Sequence, residues 1–224
     1  MFKNRKDAGR RLAARLLRYK DEQPVVLALP RGGVPVAYEV AMALNAPLDV
    51  VVVRKLGAPG QPELGIGAVV DGDHPQSVLN EEVLRVLDVS DDYLNREVAV
   101  ELQEIRRRQE RYRSGRPPEP IEGRTAIVID DGIATGGSVR AALRSVRRSD
   151  PKRLILAVPV APPDTVESLR PEVDELVCLS MPVFFHAVGQ FYEDFSQTTD
   201  EEVVELLEAA RQQMASAEER KRGG

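Results

Sequence analysis

The chain has 224 residues, 42% of them apolar and 30% charged, with 31 Lys and Arg against 36 Asp and Glu for a formal charge of −5. This is the composition of a globular protein, it excludes wholesale disorder, and the length suits one domain of the larger kind. No stretch approaches the roughly 18 consecutive apolar residues of a membrane span, the opening MFKNRKDAGRRLAARLL lacks the apolar core of a secretory signal, and the lone Cys178 excludes an internal disulfide or a paired-cysteine zinc site, so a reducing cytoplasm is the expected setting.

Residues 1–20 carry eight basic side chains (Lys3, Arg5, Lys6, Arg10, Arg11, Arg15, Arg18 and Lys20) and one acid, Asp7, a local charge of +7 that leaves 23 basic against 35 acidic residues elsewhere. Leu12, Leu16 and Tyr19 fall at helical spacing with Arg11, Arg15 and Arg18 on another face, which predicts an amphipathic helix packed on the domain; a nucleic-acid-binding stripe is the alternative. Residues 24–30 (PVVLALP) read as a buried strand, 36–44 as the following helix and 48–53 (LDVVVV) as a second strand. Residues 56–63 (LGAPGQPE) read as a mobile Gly/Pro-rich loop, and 68–70 and 77–79 as a short hairpin around DGDHP. A charged helix is expected over 91–113, with Leu94, Val98, Leu102 and Ile105 on one face, Ser90 as N-cap and Gly115 as its stop. Residues 124–130 (RTAIVID), 153–160 (RLILAVPV) and 173–179 (VDELVCL) complete the strands, with helices at 138–148 and 164–169. A last helix starts at Thr199, where Glu202 gives capping-box spacing.

Continuous Val/Ile/Leu runs alternating with helices predict an α/β fold, a Rossmann-like parallel sheet with helices on both faces. The chain is read as a single domain over 1–224: a core at about 24–180, a hairpin and helix insertion at about 56–123, a C-terminal hood at about 181–198 and a helix at 199–219. Ligands in such sheets bind beyond the carboxyl ends of the strands.

The segment 127–139 (IVIDDGIATGGSV) carries the chemistry. A buried strand ends in two adjacent carboxylates, Asp130 and Asp131, and a glycine-rich turn with Thr135 and Ser138 leads into a helix. A helix N-terminus offers backbone N–H groups and a positive dipole end to a phosphate. Carboxylates repel phosphate but accept hydrogen bonds from vicinal hydroxyls, directly or through a metal ion. Phosphate on one side and a diol on the other describe a ribose 5-phosphate. The loop lacks the lysine of a Walker A motif and the GxGxxG of a dinucleotide fingerprint.

The same segment resembles the phosphoribosyl pyrophosphate (PRPP) signature of type I phosphoribosyltransferases: an apolar strand, two acids, a short spacer and Thr-Gly-Gly-Ser/Thr. The resemblance implies that Asp130 and Asp131 take the ribose hydroxyls together with Mg²⁺, and that Ala134, Thr135, Gly136, Gly137 and Ser138 cradle the 5-phosphate. Leu29-Pro30-Arg31-Gly32-Gly33-Val34-Pro35 is similar to the family's short pyrophosphate loop, which often contains a cis peptide. It implies a catalytic Arg31 beside a close backbone approach at Gly32 and Gly33. Val53-Arg54-Lys55 looks like the segment that leads into the lid of adenine and orotate enzymes. It implies a PRPP-binding Arg54, a catalytic Lys55, a lid over 56–63, and Glu63 as the lid's one acid. Two departures weaken an orotate or 6-oxopurine assignment: Ala58 stands at the nearest equivalent of a lid lysine, and Ala134 where a phosphate-loop aspartate is expected.

The order of segments is most similar to a group of stand-alone bacterial phosphoribosyltransferase-like proteins. It implies PRPP-dependent transfer to a nitrogen nucleophile such as a nucleobase, with pyrophosphate release, in nucleotide salvage, by a homodimer independent of membranes and nucleic acid. A PRPP- or nucleotide-sensing regulator without turnover is the alternative, with the basic 1–20 segment as its foothold. Residues 181–195 (MPVFFHAVGQFYEDF) hold five of the ten aromatics, suited either to stacking on a base or to a small packed subcore.

Overall fold

The computed structural model describes residues 1–71 and 76–222. Five strands form an all-parallel sheet in the order β2-β1-β6-β7-β8: β1 Val25–Ala28, β2 Leu48–Val50, β6 Thr125–Ile129, β7 Arg153–Val160 and β8 Glu175–Ser180. The register places Ala28, Val50 and Ile129 side by side and pairs Val160 with Ser180, so the loops that follow these strands emerge along one edge.

Period-two alternation sorts the buried side chains onto two faces. Val26, Ala28, Ile127, Ile129, Ile155 and Ala157 face one core, built with Leu12 and Leu16 of α1 (Arg5–Leu16), Val36, Val40 and Leu44 of α2 (Gly33–Leu44), and Val203 and Leu207 of α7 (Asp200–Arg222). Val25, Leu27, Val128, Leu156 and Val158 face the other, built with Val139, Leu143 and Val146 of α5 (Gly137–Arg148) and Val166 and Leu169 of α6 (Pro163–Leu169). The basic N-terminal segment is the packed amphipathic helix its spacing predicts. Among the described residues no helix is long and apolar enough to cross a membrane.

The insertion departs from expectation in two places. The apolar run 48–53 does not continue as one strand: β2 stops at Val50, and Val53 opens β3 (Val53–Ala58) of a separate antiparallel sheet, β3-β4-β5, with β4 Gln61–Val70 and β5 Gln76–Leu79. Arg54 and Lys55 therefore belong to this second sheet. The 56–63 stretch is not a loose loop either. It is the end of the β3–β4 hairpin, where Ala58 pairs with Gln61 across Pro59-Gly60 and the neighbouring Leu56 and Ile66 are fully buried. Glycine and proline here mark a tight turn and a register shift between Leu56 and Ala58, whereas composition alone suggested mobility. The expected pairing of 68–70 with 77–79 is present; its tip, 72–75, lies outside the described residues. Helices α3 (Glu81–Val86) and α4 (Asp91–Arg113) follow, and the Ser90 hydroxyl caps α4 by accepting from the Tyr93 amide.

One buried network locks this sheet to the core. Arg113, at the end of α4, donates through Nε to both carboxylate oxygens of Asp49 at 3.0 and 3.2 Å and through Nη2 to the Val50 carbonyl at 3.0 Å. Its Nη2 also reaches Asp71 Oδ2 at 3.5 Å, and Gln109 donates to that same oxygen at 3.2 Å. One guanidinium thus serves two buried carboxylates. Burial pushes Asp71 up to about 6, only partly offset by the Arg113 charge. Because this value lies above that of the unfolded chain, Asp71 contributes stability at low pH that is lost as the pH rises through about 6. Asp71→Asn is expected to flatten that fall, so that its stability relative to wild type shifts in its favour by on the order of 1–3 kcal/mol as the pH rises from about 4 to above 6. Thermal melts of both chains across this pH range check it, and parallel curves would contradict it.

Candidate active site

The phosphate half of the site is built from contiguous residues. After β6 the backbone N–H of Ile133 donates to the Val160 carbonyl at 2.9 Å, and Thr165 donates to the Ala134 carbonyl at 2.7 Å, so the loop is tied to β7 and α6. Gly136 caps α5 with φ +80, where an L side chain would be strained. Ala134, Thr135 and Gly137 are exposed at the helix start, with Ser138 half-buried beside them. The first amides of α5 have no intrahelical acceptor and face solvent with the positive end of the helix dipole, which suits a phosphate.

The acid pair lies deeper. Asp130 Oδ1 accepts from the Asp131 amide at 2.8 Å. Asp131 is 9% exposed, and its Oδ2 accepts from Arg5 Nε at 2.8 Å. Burial, together with the adjacent Asp131 charge, pushes the Asp130 carboxyl well above the ordinary carboxylate range; burial also pushes Asp131 up, opposed by Arg5. The Tyr192 hydroxyl donates to the Asp131 carbonyl at 2.5 Å.

The loop after β1 closes over this pair. The Pro30–Arg31 peptide is cis, and Gly32 and Gly33 run directly against the acids. A Cβ on Gly32 would stand 2.1 Å from Asp131 Oδ2, and one on Gly33 would stand 2.8 Å from the Ile129 carbonyl. Arg31 is about one-third exposed, and its Nη1 lies 3.7 Å from Asp200 at the start of α7. Asp200 also accepts from the Tyr112 hydroxyl at 2.7 Å and pairs with Arg111 at 3.2 Å.

Lys55 and Arg54 go opposite ways, as adjacent strand residues must. Lys55 lines a cleft of about 660 Å³ between the hairpin and α5, together with Thr135, Gly137 and Ser138 on one wall and Arg85 and Arg140 further out. Arg54 faces α4 and forms a bidentate pair with Glu101 at 2.6 and 3.3 Å. The structure therefore brings together Arg31, Gly32, Gly33, Asp130, Asp131 and Ala134–Ser138 at the sheet edge, adds Lys55 from across the cleft, and leaves Arg54 in an ion pair on the far face of β3. The side chain of Glu63 lies outside the described residues.

Four of the five hood aromatics are engaged in ring contacts, although the segment as a whole is largely exposed. Phe185 stacks on Phe191 at 5.1 Å, Tyr192 on Phe195 at 5.1 Å, and Tyr192 on Phe2 at 5.4 Å. Phe184 is the exception, 85% exposed. Four partners escaped sequence reasoning: Arg5, Phe2, Tyr192 and Asp200. Each acts across a long sequence separation, and no local pattern marks it.

Two acids are the whole local donor set for a cation: among the described residues no group of three or more His, Cys, Asp or Glu converges on one point. Hard carboxylate oxygens suit Mg²⁺, which commonly takes one or two carboxylates and fills its shell with substrate oxygens and water.

Comparison with known proteins identifies the family. A family model described as "Phosphoribosyl transferase domain" matches residues 2–196. Two Mycobacterium tuberculosis proteins, from strains H37Rv and CDC 1551, each named "Putative phosphoribosyl transferase", are 48% identical over 217 residues, 97% of this chain and 48% of theirs. The chain thus spans about half the length of these relatives. The crystal structure of TT1426 from Thermus thermophilus superposes with a TM-score of 0.79 at 48% identity, covering 92% of this chain and 97% of that one. A Neisseria gonorrhoeae protein crystallised with ppGpp shares the fold at a TM-score of 0.50 and 14% identity, covering 92% of each chain.

Gly32→Ala is expected to lower stability by about 2 kcal/mol or more, because its Cβ would fall on the buried Asp131 carboxylate. Gly137→Ala, whose Cβ meets nothing within 4 Å, is the control expected to melt close to wild type.

Proposed function

The chain belongs to the phosphoribosyltransferase family, and from that premise we propose that it transfers the phosphoribosyl group of PRPP to a nitrogen nucleophile such as a nucleobase, releasing pyrophosphate. One observation carries this reading: the open N-terminus of α5 and an adjacent pair of carboxylates, one buried and one half-buried, stand at the end of the same strand, seven residues apart from Asp130 to Gly137. A phosphate acceptor and a diol acceptor at that spacing fit a ribose 5-phosphate.

In this reading the amides of Gly137 and Ser138 and the hydroxyls of Thr135 and Ser138 hold the 5-phosphate, with Ala134 and Gly136 shaping the turn. The ribose hydroxyls donate to the acid pair. Arg31 and Lys55 stabilise charge developing on the leaving pyrophosphate. The bond from C1 to the pyrophosphate oxygen breaks with its electron pair leaving on that oxygen, the bond from C1 to the acceptor nitrogen forms, and the proton of that nitrogen passes to the departing pyrophosphate. Asp130 and Asp131 are the residues that would hold Mg²⁺, which would supply charge neutralisation on the pyrophosphate. The β3–β4 hairpin covers the cleft and limits the access of water that would otherwise hydrolyse PRPP; Glu63 lies on it, as the expected acid of a lid. Arg54 serves this reading indirectly, by pinning the hairpin to α4. Phe184 is the hood aromatic left available to stack on a planar acceptor. We also propose a role in nucleotide salvage and self-association as a homodimer.

The regulator alternative draws little support from the N-terminal helix. Arg5 pairs with Asp131, Lys6 and Arg10 with Glu39, Arg11 with Asp7, and Arg18 with Glu175. Five of the eight cations are thus engaged within the chain, Arg5 in the interior, while Lys3, Arg15 and Lys20 remain exposed without a salt bridge among the described residues as the regulator's foothold.

Pyrophosphate release is the decisive measurement, made with PRPP, Mg²⁺ and a panel of nucleobases. Base-dependent release is expected. PRPP binding without release under any base would favour the regulator. Asp130→Asn should weaken PRPP binding by about 1–3 kcal/mol, the cost of a lost charged hydrogen bond; unchanged affinity would remove the acid pair from the site.

A further inference from the structure

We propose that Arg5 is a positioning residue of the phosphoribosyl site: it fixes the Asp131 carboxylate against the loop after β1 and so couples ligand binding at the acid pair to the N-terminal helix. The inference rests on the PRPP reading above. Of the eight cations in residues 1–20, Arg5 alone is turned inward, its side chain 12% exposed while the other seven lie at the surface. Its guanidinium is held at three points: Nε donates to Asp131 Oδ2 at 2.8 Å, Nη1 donates to the Ser196 carbonyl at 2.6 Å, and its central carbon lies 3.9 Å from the centroid of the Phe195 ring. A planar fork fixed in this way admits one orientation, and it imposes that orientation on the carboxylate.

The position matters as much as the contacts. A Cβ on Gly32 would lie 2.1 Å from Asp131 Oδ2 and 3.3 Å from Arg5 Nε, so the N-terminal helix, the acid pair and the loop carrying Arg31 meet at one point. The same N-terminal segment is bound to the hood: the Phe2 amide donates to the Phe191 carbonyl at 2.8 Å, and the Glu193 amide to the Phe2 carbonyl at 2.9 Å. Tyr192 of that hood holds the Asp131 backbone. Side chain and backbone of one acid are thus fixed by a single cluster of the N-terminal segment and the hood. Arg5 touches no ligand in this arrangement, because its contacts are internal and Phe195 covers it. Without Arg5 the carboxylate is free to turn, and displacement of about 1 Å is enough to lose an aligned hydrogen bond to a ribose hydroxyl.

The test titrates PRPP with Mg²⁺ calorimetrically into wild type, Arg5→Gln, Arg5→Lys, Asp131→Asn and the Arg5→Gln/Asp131→Asn double variant, each well below its melting temperature. Arg5→Gln is expected to weaken PRPP by about tenfold, and Arg5→Lys to recover part of that loss. The double variant should bind no more weakly than Asp131→Asn alone, because the pair acts as a unit. Equal affinity in wild type and Arg5→Gln, additive losses in the double variant, or tighter binding by Arg5→Gln each overturns the positioning role while leaving the PRPP reading intact. A wild-type chain that binds no PRPP overturns that reading itself, and the role with it. Should Arg5→Gln fail to fold, amide exchange in the wild type decides: linkage is reciprocal, so PRPP must slow exchange in the first turn of α1. Unchanged exchange there overturns the inference.

Discussion

Two adjacent carboxylates at the end of the central strand, Asp131 buried and Asp130 half-buried, are the constraint on which the rest of this structure depends. Removal from water and mutual repulsion both disfavour their ionisation. The protein meets this with a cation drawn from the first helix, Arg5 on Asp131, and with the adjacent Asp131 amide on Asp130, while Tyr192 of the hood holds the Asp131 backbone. The constraint is also steric. Space directly over the acids is so short that the covering loop has no room for a side chain at Gly32. The return of the N-terminus to the sheet edge, the packing of the hood aromatics on Phe2 and the glycines after β1 are therefore consequences of one requirement.

Electrostatics outside that pair follow a different logic. Most of the many arginines are engaged at the surface, as in Arg140 and Arg144 on Glu172 or Arg107 and Arg108 on Glu104, and such exposed pairs contribute little stability each. Their effect is to remove cations from competition for a polyanionic ligand. Lys55 makes no ion pair among the described residues and faces the cleft beside the start of α5. Arg31 keeps a loose contact at 3.7 Å with an acid that two other groups already hold, which leaves its fork available at the mouth of the site. The net charge of −5 conceals this division.

The local half of the site was legible along the chain and the rest was dark, for a physical reason. The phosphate cradle from Ala134 to Ser138 is contiguous, so its glycines, hydroxyls and helix start can be read residue by residue. The same holds for the alternation of strands and helices and for α4, whose limits and Ser90 cap agree with its periodicity. Arg5 could not be found this way, because 126 residues separate it from Asp131 and nothing near it differs from its basic neighbours. Arg54 and Lys55 looked equivalent until β3 placed them on opposite faces. The stretch 56–63 misled because glycine and proline mark tight turns as readily as loose loops, and only the burial of Leu56 and Ile66 separates the two cases.

The family match covers less of the chain than the contacts around the proposed site do. It runs from residue 2 to 196, and so includes Arg5, the hood and Ser196, which together fix Asp131. It ends before α7, yet α7 supplies Asp200 to Arg31 and packs Val203 and Leu207 into the same core as α2, the helix that begins just after Arg31. One acid of the sheet edge is thus oriented from the first helix, and the one cation of the loop above it stands in loose contact with the last. A site built in the middle of the chain is held at its two functional ends by the outermost helices, and the geometry on which its chemistry depends is a property of the whole described chain.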